Sequence, residues 1–450
     1  MGSFGYKNTY FLDASIRNDV SSALPANNNS YWYPSLSGSF VFSELLKSNA
    51  LSFGKLRAGY AIAGADLAPY QTNFNYALGT VYPGTTGTIN TLMVPDNLRN
   101  PNIRPSFANS FEAGIDLKFF KNRLGIEFTY YNQQNKDQII NLSVSGASGY
   151  DQTVVNAGLI ENKGIEISLN AKPVQSKFFS WDATLNLARN KSLIKELYPG
   201  INVYQLDVTT YSSVSVYLNS TVNKGFGNLV GQSYLRDPAT GQILLGADNM
   251  PLFETNHDFG SVLPKFTGGM LNNFKVWKFN LGVMLDFQQG GQFFSWTKML
   301  AVKSGQAAET AALNDKGMNV RDPLTNGGGY KITGISQATG REVTAYVDAR
   351  TYFRNNIGTR IYEEWLYDAS YLKLREVSLG YNFDGKIIAA TPFKQARISV
   401  IARNPLMIWQ KAPKGLDPSE LSSGSASISW IEKGALQTVR SYGVNLTLNF

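Results

Sequence analysis

The 450-residue sequence contains no cysteine, one histidine and few charged residues, which make up 16% of the chain. Without cysteine, the chain forms neither a disulfide framework nor a thiolate metal site. The single histidine, His257, excludes a metal site built from several imidazoles. We therefore predict no metal and no cofactor.

Two further absences narrow the class of protein. No run of about 18 apolar residues occurs, which excludes a transmembrane helix. The net charge is +8, but the basic residues are dispersed rather than clustered. Nucleic-acid binding requires a basic patch or stripe, so we predict no nucleic-acid partner.

Aromatic residues and alternating sequences are abundant instead. The chain contains 24 Tyr, 26 Phe and 41 Gly. At its carboxyl end, apolar and polar residues alternate, as in a strand between lipid and a polar lumen. The apolar positions are Tyr442, Val444, Leu446, Leu448 and Phe450.

Period-two alternation predicts twelve strands. The clear ones lie at 111–119, 124–130, 165–169, 179–187, 279–287 and 441–450. The weaker ones lie near 10–19, 35–45, 51–62, 265–274, 370–382 and 394–403. In the strand at 370–382, Lys373 and Arg375 share a face with Val377 and Tyr381, which we attribute to a change of membrane depth along that face.

The connections between these strands are alternately long and short. The long ones cover about 20–34, 63–106, 132–163, 190–264, 290–369 and 404–438. Short periplasmic turns opposite long outer loops are typical of outer-membrane barrels. We predict an all-β fold, a transmembrane antiparallel β-barrel over residues 1–450 with Phe450 on the periplasmic side. A soluble β-sandwich or solenoid explains the alternation but not the loop asymmetry.

Several segments, taken in order, resemble one family. They are Asn100–Pro105, Phe111–Asp116, Asn162–Glu166, Leu263–Gly269, Asp368–Val377, Arg403–Leu406 and Asp417–Glu420. Together they resemble the SusC/RagA family of TonB-linked outer-membrane transporters over nearly the whole chain. The sequence departs from the family at Ser106, where an acidic residue is usual.

The resemblance implies a barrel of about 22 strands with a plugged lumen, of which this chain supplies the carboxy-terminal twelve. It also implies import of glycan or peptide fragments, energised through TonB, with a SusD-like surface lipoprotein as a lid. Lipids and lipopolysaccharide would contact the barrel, and the barrel-assembly machinery would recognise Tyr442 and Phe450 at its end.

The amino terminus lacks a basic region followed by an apolar core, so it does not resemble a signal peptide. We therefore expect Met1 not to be the natural start of the exported protein. The plug, the TonB-binding segment and the early strands are expected upstream.

Candidate site residues fall into two groups. Aromatic side chains on outer loops would contact substrate, with packing inside the loops as the alternative: Tyr70, Tyr76, Tyr82, Tyr234, Trp296, Tyr330, Tyr362 and Trp365. Carboxylates on the polar strand faces would face the lumen and contact plug or cargo: Asp116, Asp182 and Asp286.

No arrangement of residues predicts catalysis, so we expect no enzyme. Glu363 and Glu364 are adjacent acids, but neighbouring strand-like positions point apart, so a solvated loop is expected rather than a glycosidase pair. Two other functions stay open. One is a structural or assembly role in an envelope complex without transport, and the other is an iron-chelate receptor, against which the family motifs argue.

Overall fold

The computed structural model describes residues 1–46, 48–84, 87–383, 385–389, 391–422, 428–436 and 438–450, with only the backbone of Thr88 and Lys386. The predicted long connections at 63–106 and 404–438 therefore include residues outside this set, as do two predicted short connections, at about 46–50 and 383–393. The chain divides into two compact units. Unit 1 contains residues 1–173 and 184–203, and unit 2 contains residues 174–183 and 204–450.

The regular secondary structure of unit 1 is almost entirely strand, apart from two short 3-10 turns. They are β1 (Gly2–Tyr6), β2 (Tyr10–Val20), β3 (Ser30–Phe40), β4 (Leu51–Ala65), β5 (Ala77–Gly84), β6 (Gly87–Met93), β7 (Asn97–Leu98), β8 (Ser106–Phe119), β9 (Leu124–Ser143), β10 (Gln152–Gln175) and β11 (Phe179–Glu196). The main sheet runs in the order β1-β2-β3-β4-β8-β9-β10, and β5 pairs with β6 separately. Strand β11 is divided between the units at Thr184.

Unit 2 contains the remaining strands. They are β12 (Val203–Tyr211), β13 (Val214–Thr221), β14 (Asn228–Tyr234), β15 (Leu244–Leu245), β16 (Phe253–Ser261), β17 (Phe266–Val276), β18 (Phe279–Gln289), β19 (Gln292–Ser295), β20 (Tyr330–Ser336), β21 (Glu342–Val347), β22 (Leu366–Asp368), β23 (Tyr371–Asn382), β24 (Gln395–Gln410), β25 (Ile431–Glu432) and β26 (Ser441–Asn449). Its main sheet runs β17-β18-β23-β24-β26. All twelve predicted strands are present. The short, glycine-containing β1 was missed because it shows too little alternation.

Helices are few and short. They are α1 (Trp296–Lys303), α2 (Gly358–Arg360) and α3 (Gly385–Ile388), with a π-helical turn at Thr351–Ile357 and 3-10 turns at Phe42–Glu44, Gly146–Ser148, Ala308–Ala311, Leu324–Asn326 and Tyr362–Trp365. Within the described part of the chain, no helix has the length and apolar character needed to cross a membrane.

The strand register separates charged and apolar residues onto opposite faces of the main sheet in unit 1. Lys55 pairs with Asp116, which pairs with Glu127 on the neighbouring strand. One position along, Leu56 pairs with Ile115. Because successive side chains point to opposite faces, the sheet has a polar and an apolar face. Leu56 on the apolar face is 46% exposed, as expected where lipid replaces a protein core.

A β-bulge explains the irregular alternation in β23. Met284 pairs with Glu376 and the next residue, Leu285, pairs with Leu374, so Arg375 has no partner in this register. An extra residue in one strand shifts the alternation by one position. Lys373 therefore lies on the same face as Glu376, away from Val377. Our explanation by membrane depth was wrong.

The predicted long connection at 132–163 is largely a continuation of β9 and β10. The two strands remain paired from Leu124 with Ala171 to Ser143 with Gln152. Polar residues such as Gln133 and Gln134 occupy both faces there, which removes the alternation from the sequence while the backbone ladder continues. Only residues 144–151 connect the strands.

The described residues of the long connections in unit 2, which we call the outer segments, fold into a substructure with its own core. Three small sheets form it, in the orders β12-β13-β14-β16, β15-β20-β21 and β22-β19-β25. Val214, Leu218, Leu229, Phe294 and Trp430 are completely buried in one hydrophobic cluster. Burial of each such side chain contributes about 1.5–3 kcal/mol. These segments are therefore ordered by packing and are not open loops.

This core predicts a localised effect of mutation. Leu218→Ala would remove a fully buried side chain and cost about 2–5 kcal/mol. We expect faster amide hydrogen exchange throughout β12–β16 and unchanged exchange in β17 and β18. Leu313→Ala is the matched control because Leu313 is 68% exposed. Equal exchange in the two variants would show that the outer segments lack a cooperative core.

Candidate functional site

The polar face of unit 1 carries a charged group around Asp116. Its carboxylate lies 3.5 Å from the Lys55 ammonium and 3.5 Å from the Arg57 guanidinium. Arg57 also donates a 2.5 Å hydrogen bond to the Thr129 hydroxyl. These contacts join β4, β8 and β9 across the face. They hold fixed charges of both signs there, where polar cargo or another polar surface could bind.

A second charged group lies on the polar face of unit 2. The Asp286 carboxylate accepts hydrogen bonds from Arg375 at 2.8 Å and from the Tyr371 hydroxyl at 3.0 Å. Arg375 also reaches the Glu420 carboxylate at 3.1 Å. Because Arg375 is the extra residue of the bulge, it does not follow the regular alternation. Its side chain can therefore contact both Asp286 and Glu420. Asp286 in unit 2 and Asp116 in unit 1 are thus alike, since each is paired with at least one basic side chain on the polar face of its own unit.

Lys373 makes the most buried ionic contact on this face. Its side chain is 3% exposed, and the ammonium donates to Asp417 at 2.7 Å, Ser419 at 2.9 Å and Thr438 at 3.3 Å. We call these four residues the Lys373 latch. All three protons of the ammonium have an acceptor, as a buried charge requires. These hydrogen bonds attach the connection after β24 to the sheet.

The electrostatics of Asp417 follow from this contact. Burial opposes its ionisation, but the hydrogen bond from Lys373 and those from Ser419 and Thr438 together outweigh that effect. The pKa of Asp417 therefore lies below its ordinary value, and the carboxylate stays charged at neutral pH.

The family-like segments meet at this place. Lys373 and Arg375 belong to Asp368–Val377, and both contact Asp417–Glu420. Lys411 donates to Asp368 at 2.8 Å, and the Ser370 hydroxyl accepts a 2.7 Å hydrogen bond from the backbone of Gly290. The sequence contained two basic residues in one segment, Lys373 and Arg375, and two acidic residues in the other, but alternation could not show that the segments touch.

Five of the eight aromatic candidates belong to the packed core of the outer segments. Tyr234, Trp296, Tyr362 and Trp365 are buried in the hydrophobic cluster of unit 2, and the partly buried Tyr330 packs against it, its ring stacked on Tyr352 at 4.1 Å. Their packing favours the alternative that these five rings stabilise the loops, and their contact with substrate stays a prediction.

Tyr70, Tyr76 and Tyr82 are exposed in unit 1. Their exposed fractions are 77%, 59% and 54%. Tyr76 packs edge-on against Phe74 at 5.6 Å, and Tyr82 lies on β5. These rings are available to a ligand, and their contact with substrate stays a prediction.

Glu363 and Glu364 are anchored to the folded outer segments, which corrects the prediction of a solvated loop. Glu363 accepts hydrogen bonds from Ser233 at 2.6 Å and Arg236 at 2.7 Å. Burial raises the pKa of Glu363, but these donors outweigh it and hold the pKa below its ordinary value. The Tyr234 hydroxyl donates to Glu364. The two acids therefore serve the packing of β14 against the turn at Tyr362–Trp365.

The remaining predicted positions lie on strands. Asp182 is half-buried on β11 next to Trp181, whose indole nitrogen donates to Asn272 at 3.1 Å. Tyr442 on β26 is 72% exposed, and the ring of Phe450 lies 5.0 Å from Phe393. The lumen-facing role of Asp182 and the assembly role of Tyr442 and Phe450 stay predictions.

The Lys373 latch predicts a double-mutant cycle. Lys373→Met leaves the Asp417 carboxylate largely buried without its cation, which costs roughly 3–5 kcal/mol. We expect faster hydrogen exchange in residues 411–422. Combining Lys373→Met with Asp417→Asn removes the unpaired charge and should recover most of the protection. If the effects of the two substitutions on hydrogen exchange were additive, a direct ion pair between Lys373 and Asp417 would be contradicted.

The pH dependence of the latch follows from the direction of the Asp417 shift. A carboxyl group whose pKa is lowered in the folded protein adds stability that is present above the unfolded pKa of about 3.8. This stability is lost as the pH falls through the folded pKa. Exchange in residues 411–422, corrected for its intrinsic pH dependence, should be constant from about pH 5 to pH 8. Loss of protection within that range would contradict the assignment.

Known proteins share this architecture. Residues 1–404 match the family described as TonB dependent receptor-like, beta-barrel. TonB-dependent receptor P3 of Formosa agariphila is 24% identical over 480 residues, which cover 100% of this chain and 45% of the relative. TonB-dependent receptor SusC of Bacteroides thetaiotaomicron is 25% identical over 456 residues, 94% of this chain and 41% of the relative.

A solved structure has the same fold. The structure of the RagAB peptide transporter superposes with a TM-score of 0.73 at 19% identity, covering 100% of this chain and 46% of the other. The chain thus spans less than half the length of the proteins it matches. These findings confirm the predicted SusC/RagA resemblance and the β-barrel fold. The chain belongs to the TonB dependent receptor-like β-barrel family.

Proposed function

We propose that the whole protein imports glycan or peptide fragments across the outer membrane of a Gram-negative bacterium, with energy supplied through TonB. The observation that carries this proposal is the family match over residues 1–404. Relatives named SusC and RagAB, the latter a peptide transporter, support it.

The geometry supports transport of polar cargo. On the polar face of unit 1, Asp116 is held by Lys55 and Arg57, and on the polar face of unit 2, Asp286 is held by Arg375. Because basic side chains hold these carboxylates in fixed positions, the charged groups could contact cargo or plug in a lumen. Exposed aromatic rings on the outer side, such as Tyr76, would contact cargo before it enters. No step in this scheme makes or breaks a covalent bond, so we propose no enzymatic activity.

The partners follow from the same proposal. A SusD-like surface lipoprotein would close over the outer segments, and the part of the protein beyond this chain would engage TonB. Membrane lipids and lipopolysaccharide would cover the apolar face, on which residues such as Leu56 and Tyr60 are exposed. The barrel-assembly machinery would recognise the end of the strand at Tyr442–Phe450.

Uptake measurements test this proposal. Cells that produce the intact protein would receive isotope-labelled oligosaccharide and peptide mixtures, and mass spectrometry would identify what enters the periplasm. We expect accumulation to fall by at least about tenfold without TonB. Replacement of Tyr70, Tyr76 and Tyr82 by Ala should reduce it, whereas Tyr6→Ala on β1 is an exposed aromatic control. Accumulation that is unchanged without TonB, in cells where the protein is assembled, would favour the structural role.

A further inference from the structure

The outer segments of unit 2 form an open cavity of about 990 Å³. The carboxyl end of α1, the π-helical turn at Thr351–Ile357 and the end of β12 form its walls. Its size falls within the range of about 300–1,000 Å³ that is usual for small-molecule sites. A single ion would leave most of this cavity empty, so the cavity suits a ligand of several rings or residues.

Positive charge dominates the lining of this cavity. Lys303, Arg321, Arg350 and Arg354 contribute cations, and Asp348 contributes the one carboxylate among the lining residues. The Asp348 carboxylate accepts the backbone N–H and the hydroxyl of Thr351, both at 2.8 Å. It therefore caps the helical turn, and among the residues that the structure describes it forms no ion pair. We call this site the cationic pocket.

Arg321 supplies a charge in a fixed position. Its guanidinium donates to the Thr310 carbonyl at 2.7 Å and to the Thr310 hydroxyl at 2.6 Å, and it also donates to the Gly305 carbonyl. Neutral acceptors hold the group without cancelling its charge. The carbonyls of Leu300, Ala301 and Val302 at the end of α1 already accept backbone N–H groups of residues 304–307, so they do not face an anion unpaired.

Arg350 and Arg354 supply charges that are free for a ligand. Both are exposed, they lie four residues apart on one helical segment, and both line the pocket. In the described part of the chain neither forms an ion pair. Like charges at this spacing repel each other by a few tenths of a kcal/mol. The arrangement is unfavourable by itself and becomes favourable when an anion binds between them.

An aromatic surface adjoins these charges. Tyr211 is 51% exposed, its ring packs against Trp296 at 5.9 Å, and the Lys303 ammonium lies 5.9 Å from the ring centre. The ring is therefore held in place while about half of the residue stays exposed. A flat ring beside cations suits a sugar ring that carries an acidic group.

We propose that the cationic pocket binds an anionic oligosaccharide, in which Arg350 and Arg354 contact a carboxylate or sulfate group and Tyr211 stacks on a sugar ring. Guanidinium groups form paired hydrogen bonds with both kinds of oxyanion. The proposal deepens the proposed import function by naming the class of cargo, and it rests on that function for its biological meaning.

Equilibrium binding to the intact transporter in detergent tests the pocket. The probes are a six-ring oligogalacturonate, the same oligomer with its carboxyl groups reduced to alcohols, a sulfated galactose oligomer and hexaglutamate. We expect the uronate or the sulfated oligomer to bind at least ten times more tightly than the reduced oligomer. Arg350→Gln, Arg354→Gln and Tyr211→Ala should each weaken that binding by about tenfold.

Arg341→Gln is the matched control, because Arg341 is exposed on the turn between β20 and β21 and does not line the pocket. Equal binding of charged and reduced oligomers, or binding that the three pocket variants leave unchanged, would overturn the proposal. Equal or tighter binding of hexaglutamate with the same sensitivity to the variants would overturn its assignment to sugars. The assay requires neither TonB nor energy, so its failure leaves the import proposal intact, and loss of TonB dependence in uptake leaves the pocket intact.

Discussion

The rest of this structure depends on one constraint: inside the membrane no water is available, so the backbone must form its hydrogen bonds within the protein. Each unpaired N–H or C=O group in the hydrocarbon region costs several kcal/mol, so a strand that crosses the membrane must be paired along its length. The uninterrupted registers of β4 with β8 from Phe53 to Ala65, and of β8 with β9, meet this requirement. Pairing fixes the register, and the register in turn separates Leu56 from Lys55 onto opposite faces.

In β23, charged side chains are accommodated where the regular ladder is interrupted. The bulge at Arg375 lets one side chain contact both Asp286 and Glu420, and Lys373 is buried only because Asp417, Ser419 and Thr438 satisfy its ammonium. The same contacts attach the segment after β24 to the polar face. The outer segments depend on a different principle, since a hydrophobic cluster around Trp430 and Phe294 orders them as it would in a soluble domain.

The sequence predicted the strands in which apolar and polar residues alternate. It did not predict the features that depend on contacts between distant segments. The strands at 111–119 and 279–287 were evident because one face is apolar and the other polar. The extension of β9 to Ser143 was hidden, since residues such as Gln133 and Gln134 are polar on both faces. Trp296 and Trp365 were placed on open loops because nothing local reveals that the outer segments share a core. Likewise, the pairing of Lys373 with Asp417, 44 residues away, is a property of the folded chain.

The assignment of the apolar face to lipid and the polar face to a water-filled lumen is the central claim, and labelling of single cysteines tests it most directly. The native chain contains no cysteine, so each introduced thiol is the only one in this segment. Cysteines placed in turn at Ile115, Asp116, Leu117 and Lys118 on β8 would be treated with a water-soluble maleimide in outer membranes. Strong labelling at 116 and 118 with weak labelling at 115 and 117 is the expected result. Uniform labelling, or labelling in the opposite order, would contradict the barrel assignment of these faces.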